Sequence, residues 1–450
     1  MSYSTTFQVY VRTSASEEYY NRVMLGLEED TTWENYGGLR WQLVLCLLGA
    51  WMIVCACLIK GVQSSGKVVY FTALFPYLVL TILLILGATL EGAADGIKFY
   101  LQPKLETLKD IRVWSDAATQ IFYSLGPAFG GLITLSSYNR FNNNCHRDAV
   151  LIALANCSTS VFAGFVIFSI IGFMANELGQ EVGDVIASGP GLAFVAYPEA
   201  VTKLPVPPLW SFLFFMMLIT LGLDSQFTMT ETLTTAVLDQ YPYLRKKKHY
   251  VVIGACTMGF FLGLPMCANG GVFMFTLIDS FSSSWSLLLL AITEVLLIIW
   301  VYGYTNFFEN IREMGIKLPK VSFYYWSANW FVLTPVILSF ITITTWINFA
   351  PASYTLMGKE VYVFPKGIQG LGWMMASTPV LIFIGFAISE YFLRKKARKP
   401  VDIKSMLRPS GKFGPAVKMP TPSATNVTNG GKTIAEASYT NEAFGSQGYM

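Results

Sequence analysis

Long apolar runs separated by short polar stretches dominate the sequence between residues 41 and 394. A helix needs about 20 apolar residues to cross the hydrocarbon core of a membrane. Nine runs are long enough, near residues 41–60, 68–90, 113–138, 148–174, 208–238, 249–266, 270–304, 321–348 and 368–394. They are continuous rather than alternating, which argues against membrane-spanning strands. The pattern therefore predicts an all-α membrane protein with about nine transmembrane helices.

Composition supports a membrane location. Of the 450 residues, 53% are hydrophobic and only 13% are charged, whereas soluble domains carry roughly 25% charged residues. The net charge of +3 gives no indication of nucleic-acid binding. Most cysteines lie inside apolar runs, among them Cys46, Cys55, Cys57 and Cys256. We interpret them as small buried apolar residues rather than as a disulfide or zinc framework.

The positions of lysine and arginine predict the orientation. Basic residues collect in alternate connections, including Arg140 with Arg147 and the run from Arg245 to Lys248, and again after the last span. Because such clusters lie on the cytoplasmic side, we expect a cytoplasmic C-terminus. The expected divisions are an extracellular segment at 1–40, a transmembrane domain at 41–398, and a disordered tail at 399–450 that is rich in polar and small residues.

The third run contains residues that disfavour a continuous helix. Gly126, Pro127, Gly130 and Gly131 lie near its middle. Proline removes a backbone donor, and each glycine costs a helix about 1 kcal/mol. One alternative is a kinked, packed helix. We favour a helix broken into two halves, whose unwound backbone at the membrane midplane offers carbonyls to a cation and amides to a carboxylate.

Polar side chains cluster at the same depth. Gln120 and Ser124 are four residues apart and share a helical face, as do Asn156 and Ser160. Such side chains often serve only as hydrogen-bond partners between helices. Asp224 is different, because a carboxylate inside an apolar span is costly and no basic residue lies at its depth. A bound cation is the expected partner, and oxygen ligands favour a hard ion such as sodium.

The sequence offers little support for an enzyme. It contains no HExxH, GxSxG or P-loop motif, and its two histidines, His146 and His249, lie at the ends of spans. Without a nucleotide-binding motif, an ATP-driven pump is also disfavoured.

Four sequence blocks, in order, resemble the neurotransmitter sodium symporter family. They are QIFYSLG at 120–126, SYNRFNNNCHRD at 137–148, SGPGLAFVAYP at 188–198 and LGLDSQF at 221–227. The similarity runs from about residue 16 to 415 and is strongest to glycine and proline transporters. It implies a LeuT-like inverted-repeat transporter fold that couples sodium and chloride to the uptake of a small neutral amino acid.

The resemblance also implies roles for individual residues. One sodium site would include Ser124 and Asn156, and the second Leu221, Asp224 and Ser225. The chloride site would comprise Gln120, Ser124, Asn156 and Ser160. The substrate pocket would be lined by Tyr123, Ser124, Gly126, Phe129, Ser225 and Met229, with Gly126 favouring a small, glycine-like substrate. Asp279 would be the outer gate, Tyr138 and Asp239 would belong to the inner gate, and the segment 179–207 would cap the vestibule.

This sequence also departs from the family pattern. Its first run resembles the fourth of the family's twelve helices, so we expect an N-terminally truncated transporter that lacks the other broken helix. We therefore do not expect this chain to transport alone. The resemblance also implies a multi-pass location in the plasma membrane. Two alternatives remain open: a non-transporting membrane partner that assembles with a full-length relative, and an incomplete gene model.

Overall fold

A computed structural model describes residues 15–28, 30–59, 62–185, 194–195, 197–202, 206–282, 285–355 and 361–397, together with Leu407 and Phe413. The predicted tail at 399–450 lies outside the described residues apart from these last two. Within the segment 179–207 that was expected to cap the vestibule, residues 186–193, 196 and 203–205 also lie outside the described residues. Within the described ranges the chain is almost entirely helical.

Eight helical stretches among the described residues are long and apolar enough to cross a membrane. The first half of the chain contributes α2 (Trp41–Ile59), α3 (Val62–Ala88), α7 (Cys145–Leu178) and α10 (Pro207–Gln240). The second half contributes α11 (Lys248–Gly263), α12 (Gly271–Ser282), α13 (Trp285–Leu296), α14 (Tyr304–Glu313), α15 (Lys320–Ala328), α16 (Thr334–Ile347) and α17 (Lys366–Lys396). Several of these are consecutive pieces of one span.

One predicted span is broken into two helices, and two others contain a π-helical segment. The third, predicted at 113–138, is not one long helix but α5 (Ile111–Leu125) followed by α6 (Gly131–Ser137), which confirms the predicted break. The π-helical segment Leu297–Gly303 joins α13 to α14, and Asn329–Leu333 joins α15 to α16. Gly303 ends its segment at φ 97°, a left-handed region that glycine tolerates.

The remaining elements are short. They comprise α1 (Ala15–Glu18) with the π-helical segment Tyr19–Leu25, α4 (Ala93–Leu101), α8 (Val182–Val185), α9 (Tyr197–Thr202), and the 3-10 segments Thr107–Lys109, Pro242–Lys247 and Leu264–Cys267. One antiparallel hairpin pairs β1 (Ser353–Thr355) with β2 (Val361–Val363), Tyr354 lying opposite Tyr362. Leu27, Phe273 and Phe364 belong to one buried cluster, so the N-terminal segment packs against α12 and the hairpin.

Helix α10 lies at the centre of the fold and positions the site. It contacts α2, α3, α6 and α11, and its buried residues Phe214 and Met217 join α3 and α7 in one apolar cluster. Helix α4 packs on α7 at very short range. A Cβ on Gly96 would lie 1.9 Å from the backbone oxygen of Phe168, so only glycine allows this approach.

Candidate functional site

The site begins at the break between α5 and α6. Helix α5 ends at Leu125 and is capped by Gly126. The φ of Gly126 is left-handed, at 62°, and its amide donates to the carbonyls of Phe122 and Tyr123. Ala128 and Gly130 also have positive φ, at 64° and 80°. Three left-handed residues within five positions cannot continue an α-helix. The sequence thus unwinds where its glycines and proline cluster.

A hydrogen bond ties the end of α5 to α7. The Ser124 hydroxyl donates to Asn156 Oδ1 at 2.8 Å. Asn156 Nδ2 is buried and has no hydrogen-bond partner among the described residues. Ser160 lies one turn further along α7 and donates to the Asn156 backbone carbonyl at 3.1 Å, while Gln120 lies one turn before Ser124 and is exposed. A buried N–H without an acceptor suits an anion beside it.

Asp224 has a protein partner that the sequence did not reveal. The hydroxyl of Thr72, on α3, donates to Asp224 Oδ1. Thr72 is only 3% exposed, and Asp224 is half-buried. In the same stretch, Thr228 donates to the Asp224 carbonyl at 3.2 Å, and Ser225 lies 3.5 Å from the Leu221 carbonyl. This gathers a carboxylate, hydroxyls and carbonyls on one part of α10, a donor set that suits a hard cation.

Helix α6 runs along α10 just beyond the break. A Cβ on Gly131 would lie 3.0 Å from the Thr228 methyl group. Further along, the Tyr138 hydroxyl donates to Glu231 Oε1 at 2.7 Å and lies 2.9 Å from the Thr235 hydroxyl. One end of the break is thus bonded to α7 through Ser124, and the other end lies beside Thr228, one turn after Asp224 on α10.

Several residues of the expected substrate pocket face outward. Phe129 is 43% exposed and Met229 57%, and Ser225 is also exposed. Leu221, expected in the second sodium site, is 46% exposed. Tyr123, in contrast, packs against a buried cluster formed by α5, α13 and α16. The described residues therefore form one face of a site that is open on the other side.

Of the expected gate residues, Tyr138 and Asp239 of the inner gate are close enough to interact electrostatically, whereas Asp279 lies on another helix. Asp239, at the end of α10, accepts from Arg245 at 2.9 Å in an exposed ion pair. Asp279 lies on α12, where its backbone carbonyl accepts from Ser282 at 3.4 Å. Tyr138 lies beside Glu231, as described above.

A second ionic contact was not predicted from the sequence. Glu231 is 3% exposed, and its Oε1 lies 2.7 Å from Lys248 Nζ on α11. The only sequence signal was an acid inside a span, since a buried carboxylate requires a partner. Nothing in the local pattern indicates which cation supplies it.

Comparison with known proteins identifies the family. The family model for the sodium:neurotransmitter symporter family matches residues 1–394. The chain belongs to this family. This is a family of transporters rather than enzymes, and the all-α architecture with long apolar helices agrees with it.

Three relatives illustrate the similarity. Sodium- and chloride-dependent glycine transporter 1 of Xenopus laevis is 45% identical over 413 residues, covering 91% of this chain and 64% of that protein. Sodium- and chloride-dependent neutral and basic amino acid transporter B(0+) of Homo sapiens is 47% identical, covering 89% and 62%. Sodium- and chloride-dependent glycine transporter 2 of Xenopus laevis is 47% identical, covering 84% and 47%. The chain thus spans less than two thirds of the length of these relatives.

Proposed function

We propose that this chain contributes one face of a sodium- and chloride-coupled symporter for a small neutral amino acid, glycine-like in size, at the plasma membrane. The observation that carries the proposal is the broken helix between α5 and α6. It lies beside both the Ser124–Asn156 hydrogen bond and the Asp224 region. Unwound backbone at such a break is how transporters of this kind bind ions and substrate.

The ion assignments follow the chemistry of the donors. Asp224, Ser225 and the Leu221 carbonyl supply oxygen ligands for one sodium ion, and Ser124 and Asn156 contribute to a second. Chloride is proposed beside Gln120, Ser124, Asn156 and Ser160, because the buried Asn156 Nδ2 has no acceptor among the described residues. The sodium and chloride ions bind at these residues and are transported together with the substrate.

The substrate assignment rests on size. Gly126 has no side chain, and the added Cβ would lie 3.6 Å from the Phe129 ring. A residue with a side chain at this position would reduce the space beside Phe129. We therefore propose a small amino acid, held by Tyr123, Ser124, Gly126, Phe129, Ser225 and Met229.

In the proposed cycle, Asp279 closes the outer side of the site, while Tyr138 and Asp239 close the inner side. Sodium neutralises Asp224, so that the loaded site carries no uncompensated charge through the membrane. One bundle of helices then rocks against the other, and access alternates between the two sides.

The test is uptake of labelled glycine by cells that express the longest in-frame coding sequence containing this chain. Uptake should require both sodium and chloride, and Asp224→Asn should abolish it. Asp95→Asn, on α4, is the matched control and should leave uptake unchanged. Sodium-independent uptake, or equal uptake by Asp224→Asn, would contradict the proposal.

A second measurement uses this chain by itself. Because Leu221, Ser225 and Met229 face outward, we propose that the chain alone does not move substrate. Sodium-dependent uptake by cells expressing only these 450 residues would show that one face suffices.

The same open face favours a second role as a membrane partner. We propose that a helix of a full-length relative covers it when the two chains are produced together, which lowers the relative's uptake. Co-expression tests this role, with a Leu221→Glu, Met229→Glu double variant as control, since a charged face should not pair in a membrane. Unchanged uptake by the relative would exclude the partner role.

A further inference from the structure

Helices α2 and α11 pack antiparallel along a seam with a regular spacing. A Cβ on Gly263 would lie 3.0 Å from Leu47, and a Cβ on Gly259 would lie 2.2 Å from the Trp51 ring. Advancing one turn on each helix from the second contact leads to Cys55 on α2 and Cys256 on α11. The glycines bring the two helices close, and the next turn places two thiols opposite each other.

The packing confirms this register. Cys256 is buried in a cluster with Val54, Leu58 and Val252, and Cys55 packs against the same cluster. The two thiols lie close enough to interact electrostatically within this cluster. All seven cysteines are present as free thiols. The expectation of small buried residues is confirmed for Cys256, whereas Cys55 and Cys57 are half-buried and Cys46 is exposed.

The environment decides which chemistry such a pair supports. A single thiolate charge within an apolar span is costly, which disfavours reactions that begin with one free thiolate. A divalent soft cation avoids this cost, because two thiolates neutralise it. Among the described residues, no group of three or more histidine, cysteine or acidic side chains is placed to hold a metal ion. Cys55 and Cys256 would therefore be two thiolate ligands without a third ligand of these types among the described residues.

We propose that Cys55 and Cys256 form a two-coordinate site for a soft divalent cation, for which Hg²⁺ is the probe. Two S–H bonds break and two sulfur–metal bonds form. The two protons pass to solvent, and no electron is transferred. Thiolate ligands select soft cations over the sodium that the oxygen-rich site would hold. Binding joins α2 to α11 and releases protons, so it strengthens as pH rises.

The experiment tests whether the ion bridges the two helices. A protease site is inserted in the exposed stretch 102–106, between the two cysteines in the sequence. Every chain also carries Cys46→Ser, because Cys46 interacts with Cys267 near the end of the same seam. The purified chain is treated with Hg²⁺, cut, and separated on a denaturing gel without reducing agent.

The two fragments should remain joined after Hg²⁺ treatment and separate when a competing small dithiol is added. Cys55→Ser and Cys256→Ser should each lose the joined product. Cys57→Ser is the matched control. Cys57 packs against the same buried cluster, but it lies about 200° around the helix from Cys55, so the variant should retain the joined product. Gel filtration of each uncut variant checks that it is folded, and Cys55→Ala and Cys256→Ala replace any serine variant that aggregates.

Separation of the fragments in the Hg²⁺-treated parent chain would overturn the proposal. So would a joined product in folded variants that lack either Cys55 or Cys256.

Discussion

At the scale of single residues, one hydroxyl changes the interpretation of Asp224. No basic residue lies at the depth of Asp224 in the sequence, so a bound cation is its expected partner. The Thr72 hydroxyl supplies a neutral donor to one carboxylate oxygen. A neutral donor stabilises the carboxylate without cancelling its charge, so Asp224 remains suitable as a cation ligand while being held in place by α3.

Replacing Thr72 by valine should destabilise the protein by about 1 kcal/mol, because the carboxylate loses a buried donor. Thr72→Ser keeps the hydroxyl and should stay close to the parent chain. Thermal unfolding of the purified variants in detergent measures both. An equal loss in the serine variant would show that the methyl group, rather than the hydrogen bond, is responsible.

Two ion pairs near the end of α10 differ mainly in burial. Glu231 with Lys248 is largely buried, with side chains 4% and 24% exposed, whereas Asp239 with Arg245 is 63% and 60% exposed. Lys248→Met should cost about 3–5 kcal/mol, since it leaves a buried carboxylate without its cation. Arg245→Met is the control and should cost about 0–1 kcal/mol.

Denaturant unfolding of the two variants measures this difference. Adding Glu231→Gln to Lys248→Met should recover much of the lost stability, because it removes the unpaired charge. If both single variants lost the same stability, burial would not be the determining factor.

At the scale of elements, the break between α5 and α6 depends on backbone conformation rather than on space. The Cβ of an alanine at position 126 would meet no atom closer than 3.6 Å, yet φ at this position is 62°. Left-handed backbone costs a residue with a side chain about 1–2 kcal/mol. Ala128 bears this cost already, at φ 64°. The unwound segment is therefore held in place by its surroundings.

Gly126→Ala should lower stability by about 1–2 kcal/mol through backbone strain alone. Gly222→Ala is the matched control, because Gly222 lies within α10 with open space around it. That variant should gain about 0.5–1 kcal/mol as a helical residue. Thermal unfolding of both variants separates the effect of backbone conformation from that of an added methyl group. The same sign of change in both would contradict a left-handed Gly126.

At the scale of the whole molecule, neighbouring helices hold one side of the candidate site, and the other side is exposed. Thr72, Asn156 and Asp224 are held from within by α3, α7 and α10, while Leu221, Ser225 and Met229 lie on an open face. A scaffold that holds ligands from one side fits the proposal that this chain forms part of a complete transport site.

The basic clusters predict how the molecule crosses the membrane. An epitope at the C-terminus should be detected by antibody only after cells are permeabilised, because the basic residues after the last span favour the cytoplasm. An epitope inserted at 102–106, two spans after the expected exterior start, should be detected on intact cells. Detection of both epitopes on the same side of the membrane would refute the predicted orientation.

The helical spans, the break near Gly126 and the family were all predictable from the amino-acid sequence. All three follow from local chemistry: apolar length, glycine and proline conformation, and contiguous motifs. Only the tertiary structure placed Thr72 beside Asp224, Lys248 beside Glu231, and Cys55 opposite Cys256. Those partners lie on different helices, and periodicity within one helix does not specify which side chain of another helix it meets.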